Sequence, residues 1–181
     1  KLYLVHLWIT LTRDSLQLIK EMNNNKKLKG GCICGQVKYH ITEEPLFTQA
    51  CHCKDCKVLT GSSYVVNSSI LENTLIVEGE VSSTELKAGS GAFYKTYFCT
   101  KCGTYVYADY DSAVGRLTVR TKTLDNAEKF PPQVHIFTKD KDPWLNLPED
   151  VICFKEMYDQ KKTWPEESLN KYNEYLKANS K

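Results

Sequence analysis

The chain lacks three things at once: a long apolar run, a basic tract and an excess of one charge. No stretch approaches the roughly 20 apolar residues that span a bilayer, so a membrane span is not expected. Its 24 Lys and Arg face 22 Asp and Glu, a formal net charge of +2, without the cationic excess of a nucleic-acid groove. Lys26, Lys27 and Lys29, with Lys161 and Lys162, are the short basic groups. Neither reaches the 5 to 8 residues, roughly, of a recognisable basic tract, so nucleic acid is not an expected partner. Internal repeats are absent, and low complexity is confined to the Asn and Lys run after Met22.

Leu2 to Leu11 is about half a membrane span and long enough for the apolar part of a secretory signal. A single lysine precedes it, however, and no small-x-small cleavage pattern follows before Gly30. Leu4, Leu7, Trp8 and Leu11, then Leu18 and Ile19, recur at helical spacing and predict a short amphipathic N-terminal helix. The polar run from Asn23 to Lys27 reads as a linker, so residues 1–27 are expected to be an extension of one domain.

What the chain does have is cysteine. Eight thiols in 181 residues are an even number, which raises a disulfide framework as the first alternative. Spacing argues against it. Cys32 with Cys34 and Cys51 with Cys53 are C-x-C pairs, and Cys53 with Cys56 and Cys99 with Cys102 are C-x-x-C pairs. Such spacings suit a shared metal and make a relaxed disulfide within the pair awkward. Gly31, Gly35 and Gly103 flank these pairs as the small residues a metal knuckle needs when backbone N–H groups turn toward sulfur. Seven thiols supply one set of four and one of three, hence two zinc ions: a closed structural site and a site with one open position. Spacing leaves open whether Cys32 and Cys34 share a metal with Cys99 and Cys102 or with Cys53 and Cys56. Cys153 stands alone and reads as a buried small hydrophobe. Thiols kept free imply a reducing compartment, cytoplasm or nucleus.

The remaining texture is mainly β. Val37, Tyr39 and Ile41 alternate with polar residues. Short strand-like runs recur at Tyr64–Val66, Leu75–Val77, Ala92–Phe98, Tyr105–Tyr107, Leu117–Val119 and Val134–Phe137. Thr163-Trp164-Pro165 then opens a segment with Leu169, Tyr172 and Leu176 at helical intervals and Glu166 and Glu167 in its first turn, which predicts a C-terminal helix. The expected division is a zinc-binding β domain over 28–155 and a C-terminal helical segment over 156–181.

Gly31-Cys32-x-Cys34-Gly35-x-Val37-x-Tyr39, Cys51-His52-Cys53-x-x-Cys56 and Phe98-Cys99-x-x-Cys102-Gly103 resemble the glutathione-dependent formaldehyde-activating enzymes, a family that includes centromere protein V. Thr123-Leu124-Asp125, His135-Ile136-Phe137 and Pro143-Trp144 extend the resemblance, which covers about residues 28 to 155. It implies folded-over, tent-like antiparallel sheets. It also implies a structural zinc at Cys32, Cys34, Cys99 and Cys102 and a catalytic zinc at Cys51, Cys53 and Cys56. The implied activity is carbon–sulfur lyase chemistry on a glutathione adduct such as S-hydroxymethylglutathione. A zinc-stabilised binding module and a lyase on another thiol conjugate are the competing readings.

Glutathione carries two carboxylates, for which Lys54, Lys57, Arg120, Lys122 and Lys139 are the available cations. His52, between Cys51 and Cys53, should point away from both and make a supporting hydrogen bond. His135 is expected as a satisfied histidine in a strand, and Trp144 as a core residue. Sequence identifies neither the groups that contact glutathione nor the oligomeric state.

Overall fold

The computed structural model describes residues 27–88 and 91–180. The expected N-terminal helix lies outside the described residues. A three-stranded antiparallel sheet has the order β1 (Leu28–Gly31), β2 (Lys38–Ile41), β5 (Leu75–Glu78). A seven-stranded sheet has the order β10 (Val134–Ile136), β3 (Phe47–Cys51), β4 (Val65–Leu71), β9 (Arg116–Arg120), β8 (Tyr105–Tyr110), β7 (Phe93–Cys99), β6 (Val81–Lys87). Its strand pairs are antiparallel except β10 on β3, which is parallel. The fold is mainly β, as the alternation predicts.

Both faces of the large sheet are covered, and strand alternation assigns residues to them. Ile70, Val106 and Val119 look toward the small sheet and meet Val37, Tyr39, Ile41 and Leu124. Fully burying one such aliphatic side chain stabilises the fold by about 1.5–3 kcal/mol, so this inter-sheet layer is what folds the sheets over one another. The opposite face carries Phe47, Cys51, Val65, Leu71, Val134 and Ile136, closed over by Tyr158 and Trp164 from the C-terminal segment. Consequently all seven residues of β4, including Asn67, Ser68 and Ser69, are buried. The serine is satisfied by a hydroxyl chain, Thr48 Oγ1 to Ser68 Oγ at 3.0 Å and Ser68 Oγ to Thr121 Oγ1 at 2.8 Å.

Three α-helices and four short 3-10 turns complete the described chain. Helix α1 (Lys54–Thr60) is capped at its start by the Cys53 side chain and ends at Gly61, whose φ of 62° is the left-handed C-terminal geometry that favours glycine. The short α2 (Gln160–Thr163) is capped by Asp159. The predicted C-terminal helix is α3 (Glu166–Asn179). It docks through Leu169, Tyr172 and Tyr175, and is tied by Tyr172 Oη to Val114 O (2.6 Å) and Tyr175 Oη to Glu72 Oε1 (3.0 Å). The segment after residue 155 thus packs into the same core as β3 and β4.

Candidate metal centres

The first centre is made by two turns brought side by side. Cys32 follows β1, and the chain reverses through Gly35 (φ 75°), with Cys32 N–H donating to Val37 O at 3.0 Å and Val37 N–H donating to Cys32 Sγ at 3.2 Å. Cys99 ends β7, and the second turn closes at Gly103 (φ 71°), whose N–H donates to Cys99 O at 2.9 Å. Gln36 Nε2 donates to Thr100 Oγ1 (2.8 Å) and joins the turns. The Sγ atoms of Cys32, Cys34, Cys99 and Cys102 all lie within 4.8 Å of one another, with Cys32 to Cys34 at 3.4 Å and Cys34 to Cys99 at 3.7 Å. Four thiolates at ~2.3 Å from a tetrahedral zinc would be separated by about 3.8 Å, so the donor set fits that ion. The choice that spacing left open falls on Cys99 and Cys102 as the partners of Cys32 and Cys34. The hydroxyl and backbone N–H of Thr104 hold Cys102 down to about 5, ready to act as a thiolate.

The second centre lies at the junction of β3 and α1. Cys51 ends the strand, Cys53 caps the helix and Cys56 lies in its first turn, so the C-x-x-C spacing is helical rather than a bare turn. The three Sγ atoms lie within 4.8 Å of one another, and among the described residues no fourth His, Cys, Asp or Glu joins them. Cys51 and Cys56 are buried and Cys53 is partly exposed. The neighbouring Cys51 and Cys56 thiols, with the Cys56 N–H donating at 3.3 Å, hold the Cys53 sulfur well down, while Cys51 and Cys56 are themselves pushed up. Negative charge is favoured on the Cys53 sulfur alone before any ion is considered, and three cysteines with no fourth protein donor beside them are a donor set suited to an exchangeable zinc.

Arg120 lies beside this cluster, because its β9 position pairs with Asn67 of β4 on the face that carries Cys51 and Val65. Its guanidinium donates through Nη1 to Asn67 Oδ1 and sits 3.9 Å from the centroid of the Tyr105 ring. Tyr105 reaches that face through an irregularity between β7 and β8, where Tyr97 pairs with Tyr107 but Phe98 pairs with Tyr105, leaving Val106 as the extra residue. Sequence reasoning gave Arg120 no priority over four lysines and did not single out Tyr105. The bulge that aims Tyr105 has no local signal in the sequence.

His52 turns to the other face, as its position between Cys51 and Cys53 dictates, and its Nε2 shares a hydrogen bond of 2.9 Å with His135 Nδ1. Burial, then the charge of His135, pushes His52 down to about 4, so the pair is neutral at neutral pH. Lys57 is engaged by Asp142 (2.5 Å) and Asp140 O (2.8 Å), and Lys139 by Glu156 (2.7 Å), while Lys54 and Lys122 are exposed. Two expectations are corrected. Trp144 is 75% exposed rather than in the core, because Lys57 anchors its loop through the neighbouring Asp142 and leaves the indole outside. Cys153 is exposed, its backbone making an isolated parallel bridge to His135 at the sheet margin.

Comparison with known proteins follows this geometry. The family model "Glutathione-dependent formaldehyde-activating enzyme" matches residues 27–140, which contain both cysteine clusters. No curated protein matches the chain. Among solved structures, the crystal structure of a Rhodobacter sphaeroides protein from a structural genomics programme is similar at 24% identity and a TM-score of 0.44, covering 54% of this chain and 88% of its own. With more than half of its length matched by the family model, the chain belongs to the glutathione-dependent formaldehyde-activating enzyme family.

Proposed function

We propose that the protein is a zinc-dependent carbon–sulfur lyase that makes or breaks the adduct of a small thiol with an aldehyde, glutathione with formaldehyde being the pair named by its family. The observation that carries this reading is the contrast between the two clusters. Cys32, Cys34, Cys99 and Cys102 would close a structural site, whereas Cys51, Cys53 and Cys56 supply only three donors. A purely structural role, as in a binding module, would call for a fourth protein ligand there. Zinc in an open site lowers the pKa of an incoming thiol and holds it as a nucleophile.

The chain's own groups then have distinct tasks. Cys51, Cys53 and Cys56 would hold the ion, and the Cys53 cap on α1 fixes the spacing of the last two. The neutral His52–His135 pair locks β3 against β10 behind the centre, and the Lys57–Asp142 pair anchors α1 to the loop after β10. In the breakdown direction the carbon–sulfur pair of electrons leaves with sulfur, the hydroxyl oxygen releases its proton and becomes the aldehyde carbonyl, and sulfur is reprotonated as free thiol. Eight free thiols suit a reducing compartment such as the cytoplasm. No helix among the described residues is long and apolar enough to cross a membrane.

The test is the rate of S-hydroxymethylglutathione breakdown with zinc-loaded protein, wild type against Cys53→Ser. Acceleration by the wild type, lost in a folded variant, is expected. Absence of any effect on glutathione adducts, whether formation or breakdown, would remove the enzyme reading.

A further inference from the structure

Among the described residues, Arg120 is the one Lys, Arg, Asp or Glu side chain that is buried, at 3% exposure. It makes no ion pair with a carboxylate there, and its Nε and Nη2 have no hydrogen-bond partner. The phenol oxygen of Tyr105, whose ring lies against the guanidinium, is likewise buried and meets no partner in hydrogen-bond geometry, and the Tyr110 phenol is the other side chain that faces the guanidinium. Removing a guanidinium from water costs several kcal/mol, roughly, unless charge and hydrogen bonds offset it. Folded chains rarely leave such donors orphaned, so three of them in one place point to a group that the chain does not itself supply.

Their position says which group. Asn67 and Arg120 share the sheet face of Cys51, and the bulge at Val106 turns Tyr105 to that face. Helix α1, which carries Cys56, lies over Tyr105 through Leu59. A planar guanidinium fork with a phenol O–H beside it is a receptor for an anionic oxygen.

We propose that Arg120 and Tyr105 form a buried anion-binding subsite of the three-cysteine centre, which receives a negatively charged oxygen of the substrate. The nature of that substrate rests on the function proposed above. The oxygen has two sources: a carboxylate of the thiol compound, or the oxygen of the one-carbon unit, which bears negative charge once its proton has left and before the carbon–sulfur bond breaks.

The experiment uses the full-length, zinc-loaded protein with formate as the probe, by calorimetry, on wild type, Arg120→Met, Arg120→Lys and Tyr105→Phe. The expected result is formate binding weakened about tenfold or more in Arg120→Met, partly restored in Arg120→Lys and weakened several-fold in Tyr105→Phe. Tyr105→Phe only removes an unpartnered hydroxyl from an apolar cluster, so it remains informative if Arg120→Met fails to fold. Formate that does not bind, or that binds all four proteins alike, overturns the proposal. Comparing 3-mercaptopropionate with 2-mercaptoethanol separates the sources. A preference for the acid that disappears in Arg120→Met assigns the subsite to a carboxylate. Equal binding of the two thiols, with formate still dependent on Arg120, assigns it to the reacting oxygen. None of these readouts is turnover: a lyase indifferent to formate sinks the subsite alone, and formate binding without lyase activity sinks the proposed function alone.

Discussion

Replacing Trp164 by alanine should unfold the three-cysteine centre before the four-cysteine one. Trp164 is 5% exposed, stacks on Phe47 with ring centroids 5.5 Å apart and donates its indole N–H to Tyr158 Oη at 2.8 Å. Truncating a buried tryptophan costs about 3–5 kcal/mol, and the lost hydrogen bond adds about 1 kcal/mol, moderated because Tyr158 still donates to Gln49 Oε1 at 2.6 Å. The lost cation–π contact with Arg116 is worth about 0.5–1 kcal/mol. A net loss of about 4–7 kcal/mol corresponds to roughly 10–25 °C in a domain of this size. Because Cys51 and Cys56 belong to the same apolar cluster as Trp164, while Cys32 and Cys99 belong to the other, the first pair should feel the change more. Urea unfolding would give the energy, and competition with a chromophoric chelator would give the two zinc affinities. We expect weakening of about tenfold at the three-cysteine centre and much less at the other. A loss under about 1.5 kcal/mol, or equal weakening of both sites, would refute the claim that the C-terminal segment buttresses the centre.

Three further outcomes follow from single features. Gly30→Ala should destabilise by about 1–3 kcal/mol or more in denaturant unfolding, since a Cβ there would lie 2.4 Å from Thr123 O and 2.5 Å from the Tyr39 ring. Chelation of zinc, or Cys99→Ser, should lower the thermal midpoint, because a ligand at 1,000 times its Kd stabilises by about 4 kcal/mol; an unchanged midpoint would separate the cluster from folding. The hydrogen bond from Lys57 holds the Asp142 carboxyl below its ordinary value of 3.8, so the pair's contribution is present above that value and is lost as pH falls through the lowered native one. Asp142→Asn should therefore be more costly at neutral pH than in acid, as read from urea midpoints across pH.

The cysteine pattern was legible because metal ligation needs particular atoms at short spacing, and no packing argument competes with it. Alternation in Val37, Tyr39 and Ile41, and the Trp-Pro start of the last helix, were legible for the same local reason. Strand β4 was visible only at its first residues. Asn67, Ser68 and Ser69 look like the end of a strand, yet they are buried because both sheet faces are covered. Arg120 was hidden by that same coverage: beside Leu117 and Val119 it reads as the outward side of an alternating strand, whereas the outward face is itself a core. Helix α1 was masked by the cysteine that caps it and the one in its first turn, and the exposure of Trp144 is set by an ion pair, Lys57 to Asp142, between residues far apart in sequence.

The central claim, that Cys51, Cys53 and Cys56 hold a metal with a position left for a thiol, is tested most directly by cobalt substitution. Two cobalt ions per chain should give tetrahedral thiolate spectra, and glutathione should shift the bands of the site abolished by Cys53→Ser while leaving those abolished by Cys99→Ser unchanged. Spectra indifferent to glutathione at both sites would contradict it.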